Sequence, residues 1–419
     1  MKYEIDASID GLSRRRFLQG SAMAGFGAFL AACSGGSSQS PAPSGTNAVV
    51  IPTPPPASEA PSASPIPKVV TGPLHWAQWP AYIDLVGKAG EAGEYKPGSS
   101  PTIEAFKKQY KVDVNYEEKI LANEDFYATI QQQLVAGLAT GWDMITITDW
   151  LAAKVISKGW AEKLDQADVP NCSANIRDAL KNQVWDPNQD YHYPWQSGMT
   201  GIGYNKATLT KAGKAEPKSL ADLWALPADK VTFLNEKRDT FGLGLLKLGK
   251  KADPQTITAD DLQAVHDDIK PLSEHGLRFV GNEYIQDFAA KKTWAAMTWS
   301  GDLASSGSEN DRWVAPTEGS MIWTDNVVIP KGAVNKYTAE LMINFCYDPK
   351  IAAQIANYVY YVSPVKGAKE EIAKLDKDAA KNPLLFPPDD VVAKQQNFQF
   401  LSDELEAKMN ELYSDLAGT

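Results

Sequence analysis

From Leu74 to the C-terminus the sequence predicts an α/β protein of two lobes. Two observations carry this prediction. Short apolar runs of strand length alternate with amphipathic stretches of helical period. The alternation also continues for about 345 residues, more than one hydrophobic core spans. In open sheets of this kind, ligands bind at the carboxyl ends of strands, where chain direction switches.

The chain begins with a segment of another kind. Ser13-Arg14-Arg15-Arg16-Phe17-Leu18 precedes a short Gly/Ala-rich apolar run that ends in Leu30-Ala31-Ala32-Cys33. The Arg14–Arg15 pair reads as a twin-arginine export address, and the run is shorter than the roughly 20 residues that span a bilayer. Its ending resembles the bacterial lipoprotein box, which implies lipidation of Cys33 and an extracytoplasmic protein anchored to the outer face of the membrane or held in the periplasm. Residues 1–33 carry four basic and three acidic residues, so their removal takes the net charge from -11 to -12. An acidic chain argues against nucleic acid or anionic lipid and suits a cationic partner. Residues 34–72, rich in Ser, Gly, Pro and Ala, lack the apolar surface to offset chain entropy and read as an extended tether.

The globular elements follow in order. Residues 142–148 read as a buried strand. A helix opens at Asn123, taken as its cap, with Ile130, Leu134 and Leu138 on its apolar face. Residues 231–234 form a strand that turns into a helix over 239–248. Further strands are expected at 294–299 and 321–329, and helices at Lys336–Cys346, 351–358 and 403–416. Cys172, placed in a polar turn, and Cys346, on a helix, read as free thiols. With four scattered histidines, no zinc spacing is present.

The strand ends repeat one theme, an aromatic beside a carboxylate. It appears in Trp79-Pro80-Ala81-Tyr82-Ile83-Asp84, in Trp299-Ser300-Gly301-Asp302 and in Trp323-Thr324-Asp325, while Glu236-Lys237-Arg238-Asp239 puts two acids in one turn. Ring faces and carboxylates together suit an organic cation with an apolar stem. Each ammonium gains about 0.5–2 kcal/mol from a ring, and each buried methylene about 0.8 kcal/mol.

These landmarks resemble, in order, the periplasmic spermidine/putrescine-binding proteins of ABC importers. They include Trp142-Asp143, Asp186-Pro187-Asn188, Gly201-Ile202-Gly203-Tyr204-Asn205, Ser219-Leu220-Ala221-Asp222-Leu223-Trp224 and Ile329-Pro330. The resemblance implies a periplasmic-binding-protein-like fold of type II, with a ligand cleft between lobes joined by crossover strands. It assigns residues 73–197 and 324–368 to one lobe, and 198–323 and 369–419 to the other. It implies aromatic walls at Trp79, Tyr82, Trp299, Trp323 and Tyr361, with Thr148 and Trp150 where the family has serine and tyrosine. Acidic anchors fall at Glu236, Asp239 and Asp325, and a polar contact at Gln396. Glu and Asp are exchanged at positions 236 and 239, and putrescine-preferring members resemble this chain in carrying an acid at Asp302. An insertion at 85–100 lies near the first aromatic. The implied protein is a monomeric binding protein with a polyamine ligand, ABC permease partners, no cofactor and no catalysis.

Other readings remain open on the residues alone. Tyr360-Tyr361 resembles a ferric-iron pair, and sugars also stack on Trp. Residues 244–251 nearly spell a phosphate loop but end in Lys251, and Gly249 reads better as a helix stop.

Overall fold

The computed structural model describes residues 68–86, 96–305, 308–387, 395–397 and 401–418. The leader with Arg14, Arg15 and Cys33, nearly all of the tether, and residues 87–95 of the insertion lie outside them. Among the described residues, no helix is long and apolar enough to cross a membrane.

Nine strands among the described residues share one sheet: β1 (Leu74–Gln78), β2 (Val114–Glu118), β3 (Met144–Thr148), β4 (His192–Asn205), β5 (Val231–Leu234), β6 (Arg278–Val280), β7 (Ala295–Trp299), β8 (Asp311–Val314) and β9 (Met321–Val328). Their order is β2-β1-β3-β9-β4-β7-β5-β6, with β8 also on β4. The βα units make β1, β2 and β3 parallel, and likewise β5, β6 and β7. The long β4 and the returning β9 run antiparallel to each other and to their outer neighbours β7 and β3. Every residue of the 14-residue β4 is buried. It joins the two halves of the sheet.

Each half has its own core. Alternation along β1 sends Leu74 and Trp76 into one cluster and Ala77 into a second, on the opposite face, with Ile145, Ile147 and Trp150. The other half packs Phe233, Phe241, Val265, Tyr284 and Met297 together. The C-terminal helix, Asp403–Ala417, belongs there through Met409, Leu412 and Leu416. Ile372, Ala379, Ala380 and Leu385 instead join the core of Leu74 and Trp76. Residues up to 385, expected in the second lobe from position 369, thus pack with the first.

Local readings differ in instructive ways. Helix Asn123–Val135 has Ala122 at its cap, because the Asn123 amide is engaged with Thr148 at the end of β3. The helix stops before Leu138, which is 61% exposed. Cys172 is fully buried in helix Pro170–Asn175, outside any polar turn, and both it and Cys346 are free thiols. Gly249 follows helix Lys237–Lys247 at φ +70°, as a stop should, and Gly244 packs inside that helix against Val265.

Candidate functional site

The expected site residues gather where β3, β5 and β7 end and β9 passes. Thr148 ends β3 and leads into helix Asp149–Ser157, and Trp299 ends β7. Glu236 and Asp239 flank the start of helix Lys237–Lys247. Trp323 and Asp325 do not lie at a strand end; they sit within β9. Because β9 is antiparallel, its middle lies beside the end of β3, with Asp325 in register with Thr148 on one side and Gln196 on the other.

Asp325 is buried and held by two hydroxyls. Tyr82 Oη donates to Oδ2 at 2.7 Å and Thr148 Oγ1 to Oδ1 at 2.6 Å. Both donors are neutral, so burial dominates and pushes the carboxyl up to about 7, with nearby Asp149 and Asp239 adding to the rise. Asp239 accepts from Thr200 Oγ1 at 2.9 Å and from Trp299 Nε1 at 2.8 Å. Burial raises it to about 6. Asp302 is fully buried; Asn282 (2.6 Å) and Tyr284 (2.5 Å) donate to one oxygen, and Tyr361 (3.1 Å) to the other.

The aromatic rings connect these acids. Tyr361 meets Tyr82 and Trp323 edge-on at 6.0 and 5.2 Å, and Tyr284 meets Trp299 at 6.2 Å. One continuous path therefore runs from Asp325 through Tyr82 and Tyr361 to Asp302, and on through Tyr284 and Trp299 to Asp239. Two glycines make room for it. A Cβ on Gly198 would lie 2.4 Å from the Trp323 ring, and one on Gly301 2.3 Å from the Tyr361 ring.

The remaining expected residues stand around this path. Trp79 donates from Nε1 to the Thr146 carbonyl at 2.9 Å and packs at the edge of both cores of its half. The Arg238 guanidinium lies 4.1 Å over the Trp150 ring. Glu236 is half-buried, and its Oε1 is closed off from solvent with no hydrogen-bond partner. Burial pushes its carboxyl well above the usual range, and Glu124 adds to this. Gln396 pairs by its backbone with Ser320 and Ile322 beside Met321. Tyr360 caps helix Pro349–Val359 in the left-handed region, and the Tyr361 hydroxyl is engaged by Asp302. Among the described residues, no group of three or more His, Cys, Asp or Glu is placed to hold a metal ion.

Three partners escaped the sequence reading: Asn282, Tyr284 and Thr200. Asp149 takes hydrogen bonds from the Thr324 backbone, Asn326 and Asn397, which fixes β9 against helix Asp149–Ser157. Thr200 carried a faint signal, since glycines at 198, 201 and 203 mark a strand that bulky neighbours approach closely. Asn282 and Tyr284 lie in and after a turn, where spacing gives no clue.

A family model described as bacterial extracellular solute-binding protein matches residues 102–387. The spermidine/putrescine-binding periplasmic protein of Escherichia coli is 28% identical over 301 residues, covering 70% of this chain and 81% of its own. The putrescine-binding periplasmic protein of the same organism is 27% identical over 311 residues, with 70% and 81% covered. Among solved structures, the spermidine/putrescine ABC transporter substrate-binding protein of Streptococcus pneumoniae superposes with a TM-score of 0.66 at 26% identity, covering 82% of this chain and 98% of that one.

Proposed function

We propose that this chain, which belongs to the bacterial extracellular solute-binding proteins, captures a protonated polyamine such as putrescine or spermidine outside the cytoplasm and delivers it to an ABC importer. The observation that carries the reading is Asp325, a buried carboxylate held by two neutral hydroxyls, with Trp323 on its own strand and the Tyr82–Tyr361 ring pair against it. Such a group favours a ligand that brings positive charge, and the rings suit the methylene stem between ammonium groups. The names of the relatives support the same chemistry.

Capture needs no bond-making. Tyr82 packs in one cluster of the first half and Trp150 in its other, while Trp299 reaches a cluster of each half, so in this reading the contacts complete when the two halves approach across β4 and β9. Release requires that this be reversible, and the docked partner is a membrane permease. Twin-arginine export by Arg14 and Arg15, a lipid on Cys33 and the tether of 34–72 would keep a monomeric binding domain close to that permease. The division into lobes at 197/198 and 323/324 belongs to the same reading.

Titration calorimetry with putrescine, spermidine, spermine, maltose and ferric citrate tests it. Heat with one or more amines and none with the sugar or the iron complex is expected. Silence with every amine refutes the proposal.

A further inference from the structure

Two buried polar atoms near the start of helix Lys237–Lys247 lack partners, and they are of opposite kind. Trp150 is 4% exposed, and its indole N–H is closed off from solvent with no hydrogen-bond partner among the described residues. Glu236 Oε1, an acceptor, is closed off in the same way. The two side chains meet at Arg238, whose guanidinium lies 4.1 Å over the Trp150 ring and on which Glu236, two residues earlier, acts electrostatically. Trp150 is also tied to the described site, since it stands two residues beyond Thr148, the donor to Asp325. A buried donor without an acceptor, or the reverse, costs the full desolvation of that group.

These two atoms discriminate between ligand ends. An indole nitrogen only donates, and an ammonium has no acceptor to offer it. A carboxylate offers acceptors but nothing to donate to Glu236, and it brings negative charge towards both Glu236 and Glu406, the latter 3.7 Å from Arg238. An amide carries one N–H and one carbonyl oxygen and no net charge, so it answers both atoms at once. We infer that this end of the cleft takes an acylated nitrogen, and that the chain therefore binds a mono-N-acylated diamine. The carbonyl accepts from Trp150 Nε1, the amide N–H donates to Glu236 Oε1, and the free ammonium at the far end of the methylene stem meets Asp325. The inference rests on the polyamine reading above and names its ligand class more narrowly.

Calorimetry at pH 8 on the full chain with putrescine, N-acetylputrescine, N-ethylputrescine and 4-aminobutyrate tests this. The ethyl compound matches the acetyl one in size but keeps its charge and has no carbonyl. N-acetylputrescine should bind at least as tightly as putrescine, and about tenfold or more tighter than N-ethylputrescine. Trp150→Phe should erase that preference for acetyl over ethyl; if the variant does not fold by circular dichroism, the comparison on the unmodified protein decides alone. N-acetylputrescine that binds more weakly than putrescine, or no tighter than N-ethylputrescine or 4-aminobutyrate, overturns the inference and leaves the polyamine reading standing. A folded Trp150→Phe that keeps the preference also overturns it. No heat from any amine with the unmodified protein overturns the polyamine reading itself.

Discussion

If Asp325 meets the ligand's ammonium as proposed, its carboxyl makes affinity a function of pH, with a predictable sign. Its value of about 7 in the folded protein, against 3.8 ordinarily, means the empty cleft holds a proton there through mildly acidic pH. An ammonium beside it would restore the ordinary range near 4, so binding expels the proton and affinity rises with pH. For this single group, raising pH from 5 to 8 strengthens binding by about 80-fold, roughly 2.6 kcal/mol. Asp239, at about 6, contributes up to roughly another tenfold if a second ammonium meets it. Calorimetry with putrescine at pH 5, 6, 7 and 8, in buffers of different ionisation enthalpy, reads both the affinity and the released proton. At pH 6 about 0.9 proton should leave Asp325 per ligand bound. Asp325→Asn should weaken binding at pH 8 by about 1.5–3 kcal/mol and remove most of the slope. Equal affinities at pH 5 and 8 with no buffer-dependent heat would refute the reasoning.

The same shift predicts the stability of the empty protein. A carboxyl raised on folding favours the folded state at low pH, and that advantage is lost as pH climbs from about 4 through 7, by up to about 4 kcal/mol. The unliganded thermal midpoint of Asp325→Asn at pH 8 should therefore lie above that of the unmodified protein. Gly301→Ala places a methyl 2.3 Å from the Tyr361 ring, so the ring must move off Asp302. Overpacking of this kind costs about 1–3 kcal/mol, and putrescine affinity measured by calorimetry should fall at least in proportion. Tyr284→Phe removes a buried donor to Asp302 and a partly buried acceptor for the Trp299 backbone. A loss of about 1–3 kcal/mol in urea unfolding is expected. Lys154→Ala breaks the ion pair to Glu406 that links the two halves of the site. Amine affinity should drop by about 1 kcal/mol or less, and the drop should shrink as salt is added.

Much of the architecture was legible because periodicity reports burial. The strands at β3, β5, β7 and β9 and the helices Lys336–Cys346, Pro349–Val359 and Asp403–Ala417 emerged from apolar runs alone, within a residue or two of their observed limits, whereas helix Ala368–Leu375 did not. Side-chain partners were less legible. Asn123 looked like a cap because its type and position fit one, yet its amide serves Thr148 across the sheet. Asp325 could be named as an acid beside a tryptophan, but its hydroxyl donors come from Tyr82 and Thr148, far away in sequence. Tyr284 was invisible for the same reason: its bond to Asp302 depends on how helix Glu283–Ala289 lies against β7, which spacing along the chain does not encode. Packing of residues 372–385 into the first core was hidden too, since an apolar face does not announce which core it joins.

The long β4 also sets a timetable. Ser197 meets Thr324 across 127 residues of chain, and the far half waits for Leu401 and Met409 to complete its core. Contacts this distant make loop closure slow to reward, so folding is late and comes nearly all at once. During synthesis the growing chain passes most of its length without a finished core in either half. The cell must therefore protect the chain until its last helix emerges, or move it across the membrane while still unfolded. The twin-arginine export proposed from Arg14 and Arg15 would belong with the first of these, a route in which assembly is finished before departure.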